Sequence, residues 1–110
     1  MKTKYNIEVS NAMFVNKLNV LVNQFYKILP IKESGEPSIT QYLNGLLREM
    51  LGLKSLIQAL DNDAMYMSLL SILQYLIDND CDVAIVKSDV FKSINILKKM
   101  ISRFEKKTEG

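Results

Sequence analysis

Apolar residues recur at three- and four-residue steps through four successive stretches of this chain, the spacing that gathers side chains on one helical face. In the first stretch these are Phe14, Leu18, Leu21, Val22, Phe25, Ile28 and Leu29. Pro30 predicts its end, because the residue before a proline is pushed out of the helical region. Ile31 to Pro37, with Gly35 and Pro37, then reads as a loop. The second stretch opens on Ser38-Ile39-Thr40-Gln41, which fits a capping box: the serine oxygen accepts a backbone N–H three residues on, and the glutamine reaches back. Ile39, Leu43, Leu46, Leu47, Met50, Leu53, Ile57 and Leu60 carry it to Asp61-Asn62-Asp63, a cluster that closes one helix and opens the next. The third stretch holds Tyr66, Leu69, Leu70, Leu73, Leu76 and Ile77 and stops at Asp78-Asn79-Asp80.

In the fourth stretch, Val83, Val86, Val90, Ile94, Leu97, Ile101 and Phe104 keep the helical spacing. One continuous helix from about Asp82 to Lys106 fits it. A second version starts at Ser88 as N-cap and leaves Val83 to Val86 extended. The β-branched Val83, Ile85 and Val86 favour this later start, and it is the version expected here.

Single helices of this length are marginal in water, so the four stripes must bury one another. Short connections make neighbours antiparallel. The expected fold is all-α: an antiparallel up-down four-helix bundle over 13–107, a tail at 108–110, and a short extended N-terminal arm. Within that arm, Lys4 to Val9 alternates weakly, as a short strand or extended segment does. Ser10-Asn11-Ala12-Met13 reads in two ways. Ser10 is a plain helix cap, or the tetrapeptide is a cloning scar before a start methionine, which would make residues 1–12 foreign to the natural fold.

Of 110 residues, none is histidine and one is cysteine. Those counts exclude Cys/His zinc sites, disulfide scaffolds, and nucleophiles activated by histidine. Nor is there a glycine-rich phosphate loop, so the expectation is no enzyme and no cofactor. Lysine plus arginine number 14 against 12 acids, a net charge of +2, too balanced for a surface devoted to nucleic acid. No run of eighteen apolar residues is available to span a bilayer. The most apolar early stretch, Phe14 to Leu29, is interrupted by Asn16, Lys17, Asn19, Asn23, Gln24 and Lys27, too polar for a secretory signal. With Cys81 unpaired as well, a cytoplasmic location is expected.

Three patterns in the chain resemble sites. Asp78, Asp80 and Asp82 fall where a calcium loop takes its first oxygen ligands, with Asp89 at the twelfth position. Val83, however, occupies the sixth position, where the loop needs a left-handed residue, and aspartate is short for the bidentate twelfth ligand. A solvated turn with capping aspartates is the better reading. A helix-turn-helix over Ile72 to Arg103 puts Lys87 and Asp89 where that motif wants apolar residues. The third pattern is charge. Lys87, Lys92, Lys98, Lys99, Arg103, Lys106 and Lys107 crowd the last segment, opposed there by Asp89 and Glu105. Such a run either complements the helix dipole or forms a basic amphipathic helix that meets an anionic membrane face or acidic partner.

Leu21-Val22-Asn23-Gln24-Phe25-Tyr26, followed by Ile31-Lys32-Glu33-Ser34-Gly35-Glu36-Pro37-Ser38-Ile39, resembles the immunity proteins that protect lactic-acid bacteria from pediocin-like (enterocin A type) bacteriocins. The shared order is a helix ending in an aromatic pair, an Ile-Lys-acid segment and a long second helix. The likeness runs more loosely from Leu18 to Ile101. It implies a non-enzymatic, cytosolic four-helix bundle that blocks bacteriocin action at its membrane receptor. Its partner would be a sugar-transport receptor with bound bacteriocin, with peripheral contact at the inner membrane face and no nucleic acid. Because the C-terminal half sets specificity in that family, the resemblance marks Lys98, Lys99, Arg103, Phe104, Lys106 and Lys107 as partner-binding. A helical adaptor, chaperone or phage-encoded regulator is the alternative.

Met50, Met65, Met67 and Met100 stand among leucines at helical spacing and read as core filling more readily than as an adaptable surface. Gly45 and Gly52 project from the second helix away from its apolar stripe, each costing about 1 kcal/mol relative to alanine. Gly45→Ala with Gly52→Ala is therefore expected to raise the unfolding free energy by about 1–2 kcal/mol in urea titrations. A gain in stability with lost activity would instead mean that a partner's backbone approaches there.

Overall fold

A computed structural model describes residues 1–35 and 39–109, with side chains at the C-terminal end described as far as Glu105. Its helices are α1 (Asn11–Tyr26), α2 (Ile28–Glu33), α3 (Ile39–Leu56), α4 (Ala64–Asp78) and α5 (Val83–Glu109), with a 3-10 turn at Gln58–Leu60. The fold is an all-α bundle with the four apolar stripes turned inward. Among the described residues no helix is long and apolar enough to cross a membrane.

Helix α1 packs chiefly on α5, and α3 on α4; α2 and α4 also lie against α5. Phe14 at the start of α1 meets Phe104 near the end of α5 edge to face, ring centroids 4.9 Å apart. Leu18, Leu21, Phe25, Ile28, Met50, Leu60, Tyr66, Leu69, Leu73, Leu97 and Met100 are fully buried between the helices. Of the helical methionines, then, Met50 and Met100 fill the core, whereas Met67 is 44% exposed.

Local capping follows the side chains. Ser10 Oγ accepts the Met13 N–H at 3.1 Å and Asp63 Oδ1 accepts the Tyr66 N–H at 3.0 Å, so α1 and α4 begin where a short polar residue precedes an apolar run. Ser38, the start of the expected capping box, lies outside the described residues.

Three boundaries differ from the sequence expectation. Helix α5 starts at Val83, not after Ser88, and Asp82 Oδ1 caps it by accepting the Ile85 N–H at 2.9 Å. The weak helix propensity of three β-branched residues costs together about 1 kcal/mol. A good cap contributes about 1 kcal/mol, and burying Val86, which is 5% exposed, adds roughly 1.5 kcal/mol. Packing wins.

Pro30 does not end the first helical stretch as expected. The break falls at Lys27, and Pro30 sits in the first turn of α2, where its missing N–H needs no partner. A continuous helix would have driven the proline ring into the Tyr26 carbonyl, four residues back. The expected loop from Ile31 is thus helical to Glu33, and Gly35, with φ of +71°, turns the chain out of α2.

The second long helix stops at Leu56, although its stripe runs on to Leu60. Ile57 is extended (φ −100°, ψ 117°) and forms an antiparallel bridge with Thr3. Lys4 N–H donates to Leu56 O at 2.7 Å and Gln58 N–H to Lys2 O at 3.2 Å. Residues 1–9 therefore double back instead of running out as an arm. Lys2 bridges Glu8, and Thr3 is buried at 5% exposure. The Lys4 ammonium, 2.7 Å from Asp61, holds that carboxyl below its usual range.

The Tyr66 hydroxyl donates to Met50 O at 2.7 Å, tying α4 to α3 in the core. Burial, reinforced by the charge of Glu49, pushes its pKa far upward. Tyr66→Phe is expected to lower the unfolding free energy by about 1–2 kcal/mol, read by urea denaturation. Because the folded-state pKa lies above the unfolded value, Tyr66 supports the fold fully below about pH 10 and loses that support as pH rises further. The phenylalanine variant should show a shallower loss of stability in that alkaline window.

Candidate functional site: the outward face of the last helix

Twenty-seven residues make α5 about 40 Å long, close to the 44 Å length of the molecule. Its inward seam is Val86, Val90, Ile94, Leu97, Met100, Ile101 and Phe104. Ser93 shares that seam and is fully buried, its hydroxyl satisfied by donating to Asp89 O at 2.9 Å. The other side carries Lys87, Lys92, Lys98 and Lys99, all exposed and without an ion pair among the described residues. Elsewhere Lys4, Lys17, Lys32 and Lys54 each stand beside a carboxylate. Lys2, Lys27 and Arg48 are likewise exposed without an ion pair among the described residues, so four of seven uncompensated cations lie on this one helix, available to an anionic partner.

The predicted contact residues divide. Lys98 and Lys99 face solvent. Arg103 donates through one terminal nitrogen to Asp63 Oδ2 and lies over the Phe104 ring, its guanidinium carbon 4.9 Å from the centroid. Asp63 also caps α4, so this arginine fastens α5 to the start of α4. Phe104 is 3% exposed and belongs to the core, which corrects its assignment as a contact residue. The stripe spacing already put it there. The side chains of Lys106 and Lys107 lie outside those described, on a backbone that is helical to Glu109.

A second polar cluster, between α1 and α3, was not foreseen. Glu49 accepts from Lys17 through Oε1 and from Gln24 Nε2 at 3.0 Å through Oε2, while the Tyr42 hydroxyl donates to Gln24 O at 2.7 Å. Gln24, Tyr42 and Glu49, with Gln41, Gly45 and Leu46, line a cleft of about 370 Å³. The Lys17 hydrogen bond holds the Glu49 carboxyl below its usual range, which leaves a fixed anion poorly suited to proton transfer at neutral pH. Only cross-helix pairing reveals this cluster; no local sequence spacing marks it. No atom stands within 4 Å of a Cβ placed on Gly45 or Gly52, so alanine fits at both.

At the other end, the Asp78 to Asp82 run behaves as a turn. Asp82 caps α5, Asp78 accepts from Gln74 at 2.9 Å, and Asp80 lies 3.6 Å from Lys32. No cluster of potential ligands among the described residues is arranged to hold a metal ion. Between α4 and α5, Ser71, Ile72, Tyr75, Ile85 and Asp89 border an open groove of about 400 Å³. The Arg103–Asp63 bridge joins the end of α5 to the start of α4, so the two helices run back along each other. A helix-turn-helix crossing would carry those ends apart.

No protein-family model, curated protein or solved structure matches this chain.

The two halves of the basic set separate experimentally. Lys98→Glu with Lys99→Glu is expected to leave the unfolding free energy within about 0.5 kcal/mol of wild type. Arg103→Ala should lower it by about 1–2 kcal/mol, because the Asp63 carboxylate loses its partner. Chemical denaturation of both variants is the check.

Proposed function

We propose that this protein is a non-enzymatic bacteriocin immunity protein that works from the cytoplasm, with the outward face of α5 as its docking surface. The observation that carries the reading is the row of exposed lysines on α5, free of ion pairs among the described residues, on a helix whose other side is locked into the core. A rigid bundle presenting unmatched charge suits recognition of an acidic protein surface or the anionic inner face of a membrane. The pediocin-like specificity rests on the sequence resemblance of Leu21 to Tyr26 and Ile31 to Ile39. In this reading the bundle engages the bacteriocin-occupied receptor and blocks the pore from inside.

The groove between α4 and α5, with Tyr75 at 48% and Ile85 at 41% exposure, favours a second reading as a helical adaptor for another protein. Expression in a bacteriocin-sensitive strain separates the two. Immunity predicts at least about tenfold higher survival against one member of a pediocin-like panel, a difference of about 1.4 kcal/mol if survival tracks receptor occupancy. Lys98→Glu with Lys99→Glu should abolish that protection while leaving the fold intact. Undiminished killing by the whole panel, with a soluble protein co-purifying, would replace this reading by the adaptor.

A further inference from the structure

One end of the bundle brings together features that lie far apart in the chain. Lys4 reaches Asp61, and Arg103 reaches Asp63, so the turn between α3 and α4 holds the N-terminal segment on one side and the last turns of α5 on the other. The Phe14–Phe104 contact places the start of α1 at the same end.

The N-terminal turn there is built, not loose. Thr3 Oγ1 accepts the N–H groups of Tyr5 at 3.2 Å and Ile7 at 3.1 Å, and Asn6 N–H donates to Thr3 O at 3.0 Å. Asn6 takes φ of +63°, a conformation asparagine tolerates better than most residues. This geometry turns the Thr3 side chain inward and leaves Tyr5 77% and Ile7 61% exposed. Neither of those side chains packs against the core. Met13, 67% exposed, and Leu56, 41% exposed, flank the same end.

Charge accompanies the apolar tip. Lys2 is exposed beside the turn, and Lys98 and Lys99 are exposed about one turn before Arg103. The opposite end carries the exposed Asp78, Asp80 and Asp82. Glu8 and Glu105 are also exposed at the first end and Lys27 and Lys87 at the second, but exposed cations outnumber acids at the first and acids outnumber cations at the second, so an anionic surface favours the first end. The tip projects outward beside lysines, and the simplest partner is a negatively charged one that accepts protruding tyrosine and isoleucine side chains anywhere on its surface, without a matching pocket. A bilayer interface does so, and tyrosine is at home at headgroup depth.

We infer that this end of the bundle docks on an anionic lipid bilayer, Tyr5 and Ile7 entering the headgroup region while Lys98 and Lys99 face the lipid phosphates. The inference rests on the reading of α5 as a docking face, and adds to it the N-terminal turn as an apolar anchor. Lysine attraction is long-ranged but screened by salt, whereas apolar insertion is not; the two together hold a protein that either alone holds weakly.

The chain contains no tryptophan, so Tyr5→Trp installs a single fluorophore at the tip. With vesicles of phosphatidylcholine and phosphatidylglycerol, its emission should shift to the blue and be quenched by brominated acyl chains; pure phosphatidylcholine should give little change. Tyr5→Ser with Ile7→Ser should weaken partitioning about tenfold at an unchanged melting temperature. Lys98→Glu with Lys99→Glu should weaken it and remove most of its salt dependence. Binding with an unquenched indole, and no effect of the serine pair, overturns the anchor while the α5 docking face stands. Failure to bind the anionic vesicles overturns it too, and cellular protection in that case would point to a protein partner. Quenching and tight binding without protection from any bacteriocin would keep this inference and remove the immunity reading.

Discussion

Burial of the apolar seam between α1 and α5, closed at one end by Phe14 against Phe104, sets where every other element goes. Fully burying a single leucine or phenylalanine contributes about 1.5–3 kcal/mol, more than any cap or surface ion pair in the molecule can. That imbalance explains why α5 extends back through β-branched Val83 to Val86, and why the chain re-enters a helix at Ile28, which is fully buried, immediately after the break at Lys27. Local preference yields wherever a side chain on the seam would otherwise be left in water.

Electrostatics acts at a second level, on placement more than on stability. The α3–α4 turn carries Asp61 and Asp63, and each collects a cation from a distant part of the chain. Asp63 serves twice, capping α4 with one oxygen and receiving Arg103 with the other. Of the seven cations left without an ion pair among the described residues, Lys87, Lys92, Lys98 and Lys99 form the row on α5, and Lys2, Lys27 and Arg48 lie singly elsewhere. A fold that spends its aspartates on capping and on fastening termini leaves that row as its most available charge.

The helical stripes, the Asp63 cap and the all-α class were legible because each depends on residues within one or two turns of each other. Lys98 and Lys99 were legible as exposed for the same reason, lying off a stripe of known period. Phe104 was legible as core from that stripe, and only the family resemblance, which marks the C-terminal half as a whole, put it among the contact residues. Three things were not legible. The Lys17–Glu49–Gln24 cluster and the Arg103–Asp63 bridge join helices far apart in sequence. The end of α3 at Leu56 depends on Lys2 to Lys4 arriving from the N-terminus to take its backbone groups.

The sequence by itself determined that this chain forms four long amphipathic helices and which side of each is buried, because a 3.6-residue period is a local property of covalent geometry. The tertiary structure alone decided where those helices stop, which cations stay unpaired, and that Thr3 is buried while Tyr5 and Ile7 are held outside. Those outcomes depend on which distant backbone and carboxylate groups come within hydrogen-bonding reach, and no spacing along the chain encodes such meetings.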